Sequence, residues 1–133
     1  MSEGSDTLLP KGALDQIRSV AQGLDYQEVV PAKFKGKSGI KHKFSALFHS
    51  SGKYFAVDVY DKALETDILR GRIKEQDVDI PYCIETADTP PKKALKLAKY
   101  YGITLVTSGD LNRLKDVMKG EESSRTPRIR PHL

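Results

Sequence analysis

Hydrophobic periodicity puts this chain in the α/β class, with a mixed sheet flanked by helices on both faces. Three observations predict it. Residues 44–48 and 55–60 alternate with period two on either side of Ser50-Ser51-Gly52-Lys53, a hairpin-turn composition. Four other stretches carry apolar residues at helical spacing. Two short apolar runs, 81–86 and 103–106, bracket one of those helices and predict a β-α-β unit. The predicted order is α, β, β, β, α, β, α, β, α: a three-strand meander, then alternating units whose last two strands are joined by a right-handed crossover.

Taken in order, residues 1–9 are small and polar and read as a flexible N-terminus ahead of one domain over 10–119. Leu14, Ile17, Ala21 and Leu24 predict a first helix over 10–24, with Pro10 in its first turn. A first strand over 26–34 follows, and Pro31 argues for an edge position or a bend. In the hairpin, Phe44, Ala46, Phe48, Phe55, Val57 and Val59 form a core face, leaving Lys43, Ser45, Asp58 and Tyr60 on the other.

A second helix over 63–75 has Leu64, Ile68 and Leu69 as its apolar stripe, with Arg70, Arg72 and Lys74 outside and Gly71 as a weak point. Thr89 as N-cap with Pro90 behind it starts a third helix, with Ala94, Leu95, Ala98 and Tyr101 inward and Gly102 as its stop. A last helix over 110–118 buries Leu111, Leu114 and Met118. Residues 120–133, with two prolines and three arginines and no apolar period, read as a flexible basic tail.

Composition limits the function classes. With 133 residues, 38% apolar and 30% charged, the chain suits one charged-surfaced globular unit. No apolar run approaches a membrane span, and residues 1–10 lack a signal-peptide layout, so the expected location is cytoplasmic and no membrane partner is expected. The single cysteine, Cys83, lies in a predicted buried strand; it permits no internal disulfide and reads as a core thiol.

The net charge of +4 is modest, but its distribution is not. No acid occurs from Val29 to Val57, whereas Lys33, Lys35, Lys37, Lys41, Lys43 and Lys53 all do, and this excess predicts a nucleic-acid-binding surface around the hairpin. His42 reads as a hydrogen-bonded packing residue on the inner side of its strand.

The hairpin, the stretch KKALKLAKYYGITLV and the closing SGDLNRLKDVMK together resemble the restriction-endonuclease-like, PD-(D/E)xK nuclease superfamily, in particular its small Mrr-like and archaeal members. The resemblance covers residues 14–118 and implies a restriction-endonuclease-like mixed sheet. It also implies a catalytic triplet: an Asp on one strand, then an acid and a lysine two residues apart on the next. Two carboxylates would hold Mg or Mn against the scissile phosphate while the lysine activates water.

In this chain Asp58 stands at the acid position, Ser45 where the first Asp belongs and Tyr60 where the lysine belongs. A hydroxyl is a poor divalent-cation ligand and a neutral phenol supplies no charge. The resemblance therefore implies a nucleic-acid-binding domain that has lost catalysis and holds no cofactor, with Asp58 either a relic metal ligand or an acid paired with Lys43 or Lys53. An alternative is a working Mg- or Mn-dependent nuclease with relocated ligands, Glu28 as second carboxylate and Lys43 or Lys53 as the lysine. A third reading is a structural or protein-interaction module, a homodimer formed through an exposed sheet edge.

Overall fold

The computed structural model describes residues 11–120; the ends expected to be flexible lie outside the described residues, apart from Gly120. Its main sheet has five strands in the spatial order β1 (Gln27–Glu28), β4 (Ala46–Ser50), β5 (Lys53–Lys62), β6 (Tyr82–Asp88) and β7 (Leu105–Thr107). The first three pair antiparallel and the last three parallel, which is the predicted mixed sheet. The β4–β5 hairpin closes on Ser51 and Gly52, both at positive φ, the geometry of a tight two-residue turn.

Helices α1 (Lys11–Gly23) and α4 (Leu111–Lys119) pack Ile17, Ala21, Leu114 and Met118 against Phe48, Phe55, Val57 and Val59 on one face of the sheet. Helices α2 (Glu65–Val78) and α3 (Lys92–Tyr101) pack Ile68, Val78, Ala94 and Ala98 against Leu47, Ala56 and Ile84 on the other. Both faces of the hairpin are therefore covered. The face expected to be mixed and outside the core lies under α2 and α3, and Asp58 with it is only 4% exposed.

The predicted first strand does not run through 26–34. It breaks at Val30-Pro31, because proline has no N–H for a ladder and Pro31 ends the pairing with β4. Beyond the break the chain leaves the main sheet as β2 (Lys33–Lys35) and folds back on β3 (Lys41–Lys43), forming a separate two-stranded ribbon. Phe34 of the ribbon packs on the cluster that α2 and α3 cover, so the ribbon lies on that side of the sheet.

Three helical assignments shift. α2 runs on to Val78, and Gly71 is buried within it: a Cβ there would lie 2.7 Å from the Tyr82 hydroxyl and 3.0 Å from Ile84. The missing side chain is what lets α2 approach β6. α3 begins at Lys92 and not beside Thr89, since Thr89 and Pro90 each precede a proline, which disfavours helical backbone at both. Leu69, Leu95 and Leu111, expected inside, are about 40% exposed, while Leu97 and Val117 take inward places.

Candidate functional site

The ribbon gathers four of the predicted lysines. Its register sets Lys33 opposite Lys43 and Lys35 opposite Lys41, with Phe34 opposite His42 between them. Strand alternation turns Phe34 and His42 inward and all four lysines outward, where they are exposed. Among the described residues none of the four takes part in an ion pair. Like charges placed directly across a ladder repel, so the free protein carries this arrangement at a cost in stability.

Helix α2 holds the ribbon in place. Asp77 accepts from the Ser38 backbone N–H at 2.8 Å and the Ser38 hydroxyl at 2.6 Å, and His42 Nε2 donates to it at 2.7 Å. Its own carbonyl accepts from Lys37 N–H at 2.9 Å. Gly36 is needed here because any Cβ would collide with the Asp77 carboxylate. The Ser38 hydroxyl, then His42 and the Ser38 backbone, hold the Asp77 carboxyl well below the usual range, at about 2. Lys74, one turn earlier on α2, donates to the Lys43 carbonyl at 2.7 Å. His42 is thus the inward hydrogen-bonded residue that the alternation predicts.

Lys37 and Lys53 do not join the four-lysine face. Lys37 sits in the ribbon turn and Lys53 at the start of β5, and both line a cleft of about 800 Å³ shared with Arg72, Tyr54, Glu75 and Asp79. Tyr54 packs edge-on against Phe34, 5.0 Å between ring centroids, and lies tilted against the His49 ring at 4.5 Å.

Asp58 is brought beside Ser45, but not beside a lysine from the hairpin. Its Oδ2 accepts from Lys74 Nζ at 2.6 Å and from the Tyr82 hydroxyl at 2.8 Å, while Oδ1 accepts the Ser45 backbone N–H at 3.0 Å. Ser45 Oγ in turn accepts from Val59 N–H at 2.9 Å, so two side-chain bonds replace the ladder across the break between β3 and β4. Burial, and then the Asp58 carboxylate, push the Tyr82 hydroxyl far above its ordinary range, which keeps it a proton donor. Tyr60 is half-buried, and burial with the same carboxylate pushes its hydroxyl up as well.

The other expected groups lie elsewhere. Lys43 turns its side chain to the outer face of the ribbon, and the cation at Asp58 is Lys74, which the helical stripe had placed outside. Glu28 opposes Phe48 across the ladder and pairs with Arg18 of α1 at 3.0 Å, so it occupies the opposite face of the sheet from Asp58. Glu85, within the run predicted as an apolar strand, is 2% exposed on that opposite face, with Oε1 unpartnered among the described residues. Burial raises its carboxyl.

A divalent cation does not fit this donor set. The one carboxylate present already accepts three hydrogen bonds, one of them from the Lys74 ammonium group at 2.6 Å, and a cation would have to displace that lysine, whose side chain is 15% exposed. Among the described residues no cluster of three His, Cys, Asp or Glu side chains has metal-binding geometry.

A signal for Lys74 was present. Ile68, Gly71, Lys74 and Val78 follow helical spacing, and taking Gly71 as a contact point would have turned that face inward.

No protein-family model matches the chain, and no curated protein matches it significantly in sequence. Its structure is similar to the crystal structure of AF1548, a protein of unknown function, with a TM-score of 0.54 and 12% identity over 70% of this chain and 56% of that one. The likeness is one of fold. EndoMS in apo form superposes with a TM-score of 0.45 at 10% identity, over 71% of this chain and 45% of that one. The chain thus spans about half the length of either protein. No helix among the described residues is long and apolar enough to cross a membrane.

Proposed function

We propose that the protein binds nucleic acid through the outer face of the β2–β3 ribbon, on a restriction-endonuclease-like scaffold that does not cut. The observation that carries this reading is the set of four exposed lysines, paired like against like and held on a ribbon clamped by Asp77 and Lys74. A surface that repels itself is relieved by phosphates, and the clamp reduces the ordering cost of binding. Lysines meet phosphates as point charges, so binding should show little sequence preference and fall steeply with salt.

The donor set supports the absence of cleavage. Asp58 is neutralised from inside by Lys74, and Glu28 and Glu85 face the other side of the sheet. The test changes Lys33, Lys35, Lys41 and Lys43 together to Gln and follows binding of a labelled duplex by anisotropy. The expected result is loss of most affinity with a shallower salt slope, and an intact duplex after incubation of the unaltered protein with Mg or Mn. Unchanged affinity would refute the ribbon, and metal-dependent cleavage abolished by Asp58→Asn in a folded variant would refute the loss of catalysis.

A further inference from the structure

Helix α3 carries Lys92, Lys93, Lys96 and Lys99, all exposed, and no acidic residue. Its charges run against helix stability in two ways. Lys92 and Lys93 stand in the first turn, where the helix dipole favours acids, and that turn contains none. Lys92–Lys96, Lys93–Lys96 and Lys96–Lys99 are like pairs at i,i+4 or i,i+3, which repel. None of the four takes part in an ion pair among the described residues. By contrast, α2 has Glu65 and Asp67 in its first turn.

The position of this face matters as much as its charge. Ala94 and Ala98 point into the same buried cluster that Phe34 of the ribbon packs against, so the outward lysines of α3 and of the ribbon lie on one side of the sheet. α2 connects the two. It holds the ribbon through Asp77 and Lys74, and it meets α3 where Arg72 stacks over the Tyr101 ring, 5.0 Å from its centroid.

We propose that the lysine face of α3 is a second phosphate-binding surface, and that one nucleic-acid molecule reaches from the ribbon across α2 to α3. This inference rests on the nucleic-acid reading of the ribbon. A polyanion with charges repeated along its length satisfies two separate basic tracts, as a compact acidic ligand does not. The molecule is a duplex: the lysine face of the ribbon carries no aromatic side chain, because Phe34 and His42 turn inward, and α3 exposes one ring, Tyr100, so the two tracts offer phosphate contacts without the run of stacking rings that single strands use. An anionic membrane is a poorer fit, since the apolar face that an interfacial helix would insert is already spent on the sheet, and the exposed Leu95 and Tyr100 do not replace it.

The experiment compares the unaltered protein, the ribbon variant described above and a variant with Lys92, Lys93, Lys96 and Lys99 changed to Gln. Each is titrated by anisotropy with a duplex of roughly 30 base pairs at several salt concentrations, long enough to meet both tracts. The α3 variant is expected to bind about tenfold or more weakly, with a log–log salt slope smaller by about 3 to 4, near 0.9 for each phosphate contact removed. Its melting temperature should hold or rise, because mutual repulsion has been removed, which separates lost contact from lost fold. If the α3 variant binds as the unaltered protein does while the ribbon variant fails, the second surface is refuted and the ribbon reading stands. If the ribbon variant binds normally and the α3 variant fails, the ribbon reading is refuted, and with it the path across α2. Loss of binding to phosphatidylserine vesicles in the α3 variant, with duplex binding unchanged, would assign this face to membranes and overturn the proposal, as would equal weakening on single-stranded DNA bound more tightly than duplex.

Discussion

At the scale of single residues, Asp58 is a buried counter-ion. Its side chain is 6% exposed and that of Lys74 15%, and each finds its opposite charge in the other. Removing one member of such a pair leaves the second desolvated and alone, the costly half of the exchange. Asp58→Asn is therefore expected to destabilise the fold by about 3 kcal/mol in chemical denaturation, and Asp58→Asn with Lys74→Met by clearly less than the sum of the two single changes. Additive costs would show that the two side chains do not act as a pair. Ser45 belongs to the same unit, since its N–H and hydroxyl tie the start of β4 to Asp58 and Val59.

At the scale of elements, α2 is the part that every feature of the proposed site depends on. Its inner side gives Lys74 to Asp58 and its C-terminal end gives Asp77 to the ribbon, while Gly71 sets its distance from β6. Gly71→Ala tests that distance. Alanine gains about 1 kcal/mol of helix propensity over glycine, whereas overpacking a buried contact costs about 1–3 kcal/mol. Here the added carbon meets the rigid ring of Tyr82, whose hydroxyl is tied to Asp58, so the clash should win by about 1 kcal/mol. A more stable Gly71→Ala protein in a thermal melt would mean that α2 is free to move away from β6.

At the scale of the whole molecule, two carboxyl groups give stability opposite dependences on pH. Asp77 is lowered from 3.8 to about 2 in the fold, so its contribution is complete above the unfolded value and is lost as pH falls from about 4 towards 2. Glu85 is raised from 4.5, so the unfolded chain releases its proton first and stability is lost as pH rises above that value. Denaturant midpoints measured across pH should show both limbs, with Asp77→Asn flattening the acid one and Glu85→Gln the one towards neutrality. A Glu85→Gln protein whose advantage does not grow from pH 4 to pH 7 would show that this carboxyl ionises freely in the fold. The sheet itself ends in short strands, two residues at β1 and three at β7, which leaves little edge for another chain to pair with.

Local patterns determined most elements: helical spacing in α1, the Ser51-Gly52 turn, the alternation of β5 and the alternating strands and helices after the hairpin are properties of neighbouring residues, and they read directly from the chain. Local pattern also placed Lys33 and Lys35 together and turned His42 inward. What it could not convey is which face another element covers. The alternating face of the hairpin is covered because α2 and α3 fold back over it, Pro31 diverts the chain into a ribbon that α2 then clamps, and Lys74 reaches Asp58 across 16 residues of sequence. These outcomes depend on how layers stack and which charges meet inside them, and a period of two or of 3.6 residues carries no information about a partner that distant in the chain.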